Sequence, residues 1–301
     1  MKKQLKGSLS LLTATIIWGF AFIAQSVGMD LIGPFTFQMV RCLLAVALLV
    51  PLSFLLDLGK CSMKESLEKW KNPKLWKSSM FCGIALFAAS SLQQIGLVYT
   101  DAGKAGFLTA MYIVLTPVVG LFRGNKVPKT TVFSVVLAVV GLYLISCLGV
   151  SEINKGDLFL MGCALAFAVQ INCIDHFCVE LDGFRMNCIQ ALTVAVISAP
   201  CVFFTETVDM GNLLACWGPL CFAGCLSMGI AYSLQIVGQK EIEPTAASLI
   251  MSLESVFAVL GGWWLLKERM SATELLGCGL VFAAVVLSQL PEKKRHKKET
   301  A

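Results

Sequence analysis

The sequence predicts an all-α integral membrane bundle of ten transmembrane helices, arranged as two inverted five-helix repeats. Three observations predict it: long apolar stretches free of charge, a one-sided distribution of positive residues, and a second half that matches the first. Of the 301 residues 57% are hydrophobic and only 14% charged, with a mean hydropathy of +0.77. An ordinary soluble domain carries about 25% charged residues. A soluble fold of this size could not hide so much apolar surface, so lipid is the expected main solvent.

Charge-free stretches run over 7–29, 78–100, 105–122, 130–151, 158–174, 186–205, 210–239 and 275–291. Two more are interrupted once each, 31–56 by Arg41 and 244–266 by Glu254. A helix needs roughly 20 apolar residues to cross a bilayer core of about 30 Å, and these ten stretches meet or approach that length. The runs are sustained and lack the alternation of about ten-residue segments that a barrel would show. The opening Met1-Lys2-Lys3 and the apolar run after it have the form of a secretory signal. That run has a counterpart in the second half, which marks it as a retained first helix.

With the N-terminus placed in the cytoplasm, nineteen of the 24 Lys and Arg residues fall inside. They are Lys2, Lys3 and Lys6, the six lysines of 57–77, Arg123, Lys126, Lys129, Arg185, Lys240, and the tail Lys293-Lys294-Arg295-His296-Lys297-Lys298. Lys104, Lys155, Lys267 and Arg269 fall outside, and Arg41 within a span. This bias supports an even number of spans with both termini cytoplasmic, in a multi-pass protein of the cell membrane. Directly after a span, the basic tail over 291–301 reads as an orientation signal that meets anionic lipid headgroups. It does not read as a nucleic-acid site.

Placed under the first half at an offset of 149, the second half sets Trp18-Gly19 on Phe167-Ala168, Arg41 on Gln190 and Pro51 on Pro200. Beyond the basic loop the offset becomes 141, with Trp76 on Trp217, Gly83 on Gly224 and Gln94 on Gln235. With a residue or two of drift, Tyr112 then falls against Glu254. The units are therefore 1–150 and 151–290. Five spans per unit is an odd number, so the second unit enters the membrane inverted. Inverted repeats with a site at their midplane interface are a recurrent transporter plan.

Particular residues also carry a family resemblance. They are Ile17-Trp18-Gly19-Phe20-Ala21-Phe22, Val40-Arg41-Cys42-Leu43-Leu44-Ala45 and Ala105-Gly106-Phe107-Leu108-Thr109-Ala110-Met111-Tyr112. To these are added Ala247 to Phe257 and, after them, Leu266-Lys267-Glu268-Arg269. The chain resembles a ten-helix drug/metabolite transporter of the EamA type over roughly 8–290. Ser255 stands where the family often has proline, and Gly124-Asn125-Lys126 where Gly-Glu-Arg is usual. The resemblance implies secondary transport, often export, of amino acids or other small metabolites.

An ionisable group at the bilayer centre costs about 2.5–3.5 kcal/mol on insertion scales, so each needs a reason. Position along the spans puts Arg41 and Gln94 in the outer third with Gln25 and Gln38. Glu254, Tyr112 and Trp18 lie near the midplane, and Gln170, Gln190 and Gln235 in the inner third. Facing inward, they would mark a wettable route through the bundle. Glu254 is the candidate partner of a substrate cation or of a coupling proton, Arg41 the candidate anion contact, and Trp18 and Tyr112 its walls. The structural alternative is that Arg41 and Glu254 neutralise each other, with the glutamines as interhelical glue.

No phosphate loop is present, which leaves direct ATP coupling unsupported, and 7–29 holds no acidic residue. The thirteen cysteines include Cys221-x3-Cys225 and Cys173-x4-Cys178, which lack zinc-type partners, so no metal or other cofactor is expected. The competing class is an integral membrane lipid-modifying enzyme. It is disfavoured because His176 and His296 are the only histidines and no metal-pair or nucleophile-elbow motif appears. Uptake or facilitated diffusion by the same fold is the other transport reading. The expected partners are a small-molecule substrate and membrane lipid. A monomer can enclose a pathway, with a homodimer as the other arrangement.

Overall fold

The computed structural model describes residues 2–100, 102–122, 124, 127–146, 153–265 and 270–289. The basic tail, the motif 266–269, Arg123, Asn125, Lys126 and the junction between the predicted units at 150–151 lie outside the described residues.

The described residues hold α1 (Lys2–Met29), α2 (Pro34–Asp57), the short α3 (Met63–Trp70), α4 (Pro73–Tyr99), α5 (Ala102–Ala110), α6 (Tyr112–Phe122) and α7 (Lys129–Ser146). Then come α8 (Lys155–Phe177), α9 (Gly183–Thr205), α10 (Met210–Ala215), α11 (Trp217–Cys221), a π-helical segment (Phe222–Ala231) and α12 (Tyr232–Gln239). The chain continues through α13 (Pro244–Met251), α14 (Leu253–Leu265) and α15 (Ala272–Gln289). Among the described residues nine helical stretches are long and apolar enough to cross a membrane, where the sequence predicts ten. The tenth position holds a shorter apolar helix, Lys129–Ile145.

The outer surface is unlike a soluble protein's, and the apolar core holds several buried amides. Phe81, Ile84, Phe133, Phe203 and Phe204 are exposed, while Gln25, Gln94, Gln170, Asn187 and Gln235 are buried. Large apolar faces turned outward fit a lipid surround, because exposing them to water would cost the hydrophobic energy of each side chain.

Proline or a polar cap starts most of the spans. Pro34, Pro73 and Pro244 stand in the first turns of α2, α4 and α13, where a missing N–H leaves no bond unmade. Asn154 and Asp157 form a reciprocal cap on α8, and the Ser62–Glu65 pair does the same for α3. The bonds from Ser62 also hold the Glu65 carboxyl below its usual range.

The antiparallel pair α2/α9 is tied at both ends by a carboxylate. At one end Asp57 accepts from Arg185 at 2.6 Å, Ser66 at 2.7 Å and Lys69 at 2.8 Å. The Arg185 guanidinium also lies over the Trp70 ring, 5.6 Å from its centroid. At the other end Glu206 accepts from the Phe35 and Thr36 backbone N–H groups, both at 2.8 Å, and from the Thr36 hydroxyl at 2.6 Å. Asp57 and Glu206 are 149 apart, as are Thr36 and Arg185. Each tie therefore takes its carboxylate and its partner from corresponding places in the two halves.

Candidate functional site

Two spans that the sequence reads as continuous are broken. The chain turns at Met111 between α5 and α6, and at Ser252 between α13 and α14. Both breaks tighten to i→i+3 bonds, from Val114 N–H to Met111 O at 3.0 Å and from Ser255 N–H to Ser252 O at 3.3 Å. Met111 and Ser252, like Val114 and Ser255, are 141 apart. The breaks thus stand at corresponding positions with no drift, and Tyr112 corresponds to Leu253, not to Glu254. Interrupted helices at matching places in two halves are a strong structural pointer to a transporter's binding site.

A buried cavity sits beside these breaks. Its walls include Trp18, Gln25, Arg41, Tyr112, Gln235 and Glu254, with Phe22, Gln93, Thr109, Ser227 and Tyr232 among the rest. The space open to water centres is only about 30 Å³, room for roughly two waters. A larger substrate requires the walls to part.

Each ionisable wall residue has its own polar support. Tyr112 donates to Glu254 Oε1 at 3.1 Å. The Trp18 and Tyr232 rings meet edge to face with centroids 4.9 Å apart. Arg41 is 2% exposed and donates from Nη1 to Gln25 Oε1 at 2.6 Å, an oxygen that also accepts from Gln94 at 2.7 Å. Its Nε and Nη2 have no partner. Among the described residues neither Arg41 nor Glu254 forms an ion pair, so the mutual neutralisation weighed from the sequence is not what holds them. Trp18 Nε1, Thr109 Oγ1 and Gln235 Oε1 are likewise buried without partners. The cavity wall therefore offers unused donors, one unused acceptor amide, a cation and a carboxylate. Buried polar groups of this kind are costly unless something satisfies them.

The structure sorts the sequence candidates. Glu254, Arg41, Tyr112, Trp18 and Gln235 line the cavity. Gln94 stands behind Gln25, and Gln170 accepts from Gln235 at 3.3 Å, each one bond removed. Gln190 is buried in α9 and is not one of the lining residues, and both its amide atoms are unpartnered. Gln93, Tyr232, Thr109 and Ser227 are wall residues that span position does not reveal. For Gln93 the signal was present, since it adjoins Gln94, but choosing between neighbours requires the helix rotation.

A second, polar-lined hollow of about 470 Å³ opens toward the end of the bundle where α1 begins. Thr116, Pro117, Asn172, Asp175, Glu243 and Ser288 are on its wall. A Ser8–Gln289 hydrogen bond of 3.3 Å ties the start of α1 to the end of α15 there. Asn172 follows Ile171, which lines the buried cavity, so the two spaces share a wall.

The model of the EamA-like transporter family matches twice, over 5–147 and 154–290. An uncharacterized transporter of Archaeoglobus fulgidus is 31% identical over 96% of this chain and 87% of its own. YoaV, an uncharacterized transporter of Bacillus subtilis, is 24% identical over 97% of this chain and 99% of its own. The threonine/homoserine exporter RhtA of Escherichia coli is 30% identical over 72% of each chain. A solved crystal structure, 16% identical, superposes with a TM-score of 0.76 over 94% of this chain and 96% of the other, and shows the likeness of fold.

Proposed function

The chain belongs to the EamA-like transporter family and is a multi-pass membrane transporter, and we propose that it exports a small zwitterionic metabolite of the amino-acid kind. The observation that carries this reading is the central cavity, where an unpaired guanidinium and an unpaired carboxylate are presented together on the wall. A substrate carboxylate would take the free Nε and Nη2 of Arg41 as a charge-assisted pair. Its ammonium would take Glu254, with Tyr112 holding that carboxylate in place. Trp18 and Tyr232 would close around the apolar part of the molecule.

A bare carboxylate at this depth is costly, so substrate release toward the outside calls for a proton to replace the ammonium. That exchange would couple export to proton entry and would make Glu254 the coupling group. The likeness to an exporter of threonine and homoserine supports both the substrate class and the direction. In the orientation favoured by the positive charges, the polar hollow faces the cytoplasm and would be the entry for export. We further propose that the two matched segments act as inverted units that rock about the cavity. The recurrence of the helix breaks and of the α2/α9 ties at constant offsets supports this.

The direct test is counterflow in proteoliposomes loaded with unlabelled threonine, homoserine or other amino acids, with labelled threonine outside. Accumulation that requires a zwitterion inside, and fails with the corresponding amine or carboxylic acid, is the expected result. Equal exchange with either half-molecule would remove the two-ended reading of the site.

A further inference from the structure

The span Trp217–Gln239 has a counterpart in α4, and the two differ by one residue between matching seats. In the first half, a methyl group added to Gly83 would come within 2.8 Å of Thr193 Cβ, and one added to Gly96 within 2.6 Å of Leu160 Cγ. In the second half, Gly224 meets Leu44 Cβ at 2.8 Å and Gly238 meets Leu11 Cγ at 2.6 Å. Thr193 and Leu160 lie 149 residues after Leu44 and Leu11, so these are corresponding contacts. Yet Gly83 and Gly96 are 13 apart, whereas Gly224 and Gly238 are 14 apart.

An extra residue in an α-helix turns everything beyond it by about 100°. Here both seats are kept, because the extra residue is absorbed. Phe222–Ala231 is π-helical, and Tyr232 N–H reaches back five residues to Ser227 O. The α4 span is α-helical throughout. A π turn spends one more residue per bonded ring and leaves backbone carbonyls short of partners.

Asn187 of α9 supplies a partner to two of them, of which Gly229 O also accepts from the Ser233 hydroxyl at 2.7 Å. Its amide nitrogen lies 2.8 Å from Met228 O, 2.9 Å from Gly229 O and 3.0 Å from Ser233 Oγ. Its counterpart at the same offset, Gln38, donates to the Ser90 hydroxyl and leaves the carbonyls of α4 alone. The wide segment borders the cavity directly: Ser227 lies within it, Tyr232 ends it, and Gln235 follows one turn later. Counted through the insertion, Gln235 corresponds to Gln93, which also lines the cavity, and no longer to Gln94.

We propose that Asn187 is a positioning residue, which pins a one-residue π insertion so that Ser227, Tyr232 and Gln235 face the cavity together. The inference rests on the reading of that cavity as the substrate site. It brings Gln235 to the cavity where Gln93 of the first half also reaches it, although the two spans differ by one residue.

The experiment uses the purified full chain with Asn187→Leu, a deletion of the lipid-facing Leu226, and the two combined. Deletion of the lipid-facing Ile84, between Gly83 and Gly96, is the control. Removing Leu226 restores the 13-residue spacing that an uninterrupted helix accepts, so that chain stays folded while the Ile84 deletion does not. Asn187→Leu lowers the Tm of the parent by about 3 °C, the worth of the two membrane hydrogen bonds that one amide group can donate, and speeds amide exchange over 227–233. In the Leu226-deleted chain the same substitution has little effect, because no wide turn remains to be pinned. In threonine transport Asn187→Leu raises KM about fivefold or more and leaves the maximal rate nearly unchanged, the mark of lost ground-state fit. An equal Tm loss in both backgrounds, or a Leu226 deletion as damaging as that of Ile84, overturns the proposal. If the parent moves no threonine, the reading of the cavity loses its support, and the two Tm comparisons decide the role of Asn187 by themselves.

Discussion

A guanidinium and a carboxylate that share a cavity without pairing each require another partner, and that requirement gives the sharpest predictions at the residue scale. Glu254→Gln keeps the shape and the Tyr112 bond but removes the charge, so export should fall below detection with the folded amount in membranes unchanged, as read by immunoblot and size-exclusion profile. Arg41→Lys keeps a charge but loses the planar fork that matches a carboxylate. Substrate KM should rise by an order of magnitude or more, since a bidentate charge-assisted contact is among the stronger polar interactions. Tyr112→Phe removes one membrane hydrogen bond of about 0.6 kcal/mol, for which KM should rise only about threefold. The charged candidates were legible because a lone ionisable residue in a long apolar run is conspicuous and expensive. Gln190 was just as conspicuous, yet it lies off the lining, because span position gives depth but not the face of the helix. The same gap leaves Gln94 and its lining neighbour Gln93 indistinguishable in the sequence.

At the scale of the elements, the charge-free stretches located the spans, but they could not show where a span is interrupted. The breaks at Met111 and Ser252 lie inside apolar sequence with no proline or glycine at the turn itself. The π segment likewise carries no compositional mark, because its register is set by Gly224 and Gly238 packing on other helices. The ties of α2 to α9 were partly legible, in that Arg185 and Asp57 are lone charges at span ends. Their meeting across 128 residues was not. Asp57→Asn would take from the buried Arg185 its shortest ion pair, and breaking such a pair costs about 3–5 kcal/mol, whereas Arg185→Ala leaves Asp57 its bonds to Lys69 and Ser66. A fall in the thermal midpoint in detergent should follow from Asp57→Asn, and a smaller one from Arg185→Ala. The double variant should be less damaged than the sum of the two, since the residues act as one unit.

For the whole molecule, the proposed cycle has two halves rocking about a site shared between them and carrying a zwitterion outward. The orientation is tested by reporter fusions. A fusion after Ala301 should report the cytoplasm and one after Asp209 the opposite side, as expected from positive residues concentrated on one face. The cycle itself is tested most directly by untargeted mass spectrometry of the medium around cells expressing the parent chain or Glu254→Gln at matched membrane levels. The expected result is a small zwitterionic metabolite released by the parent and not by the variant. Equal release by both would contradict the role assigned to Glu254, and release of no metabolite above the empty-vector control would contradict export.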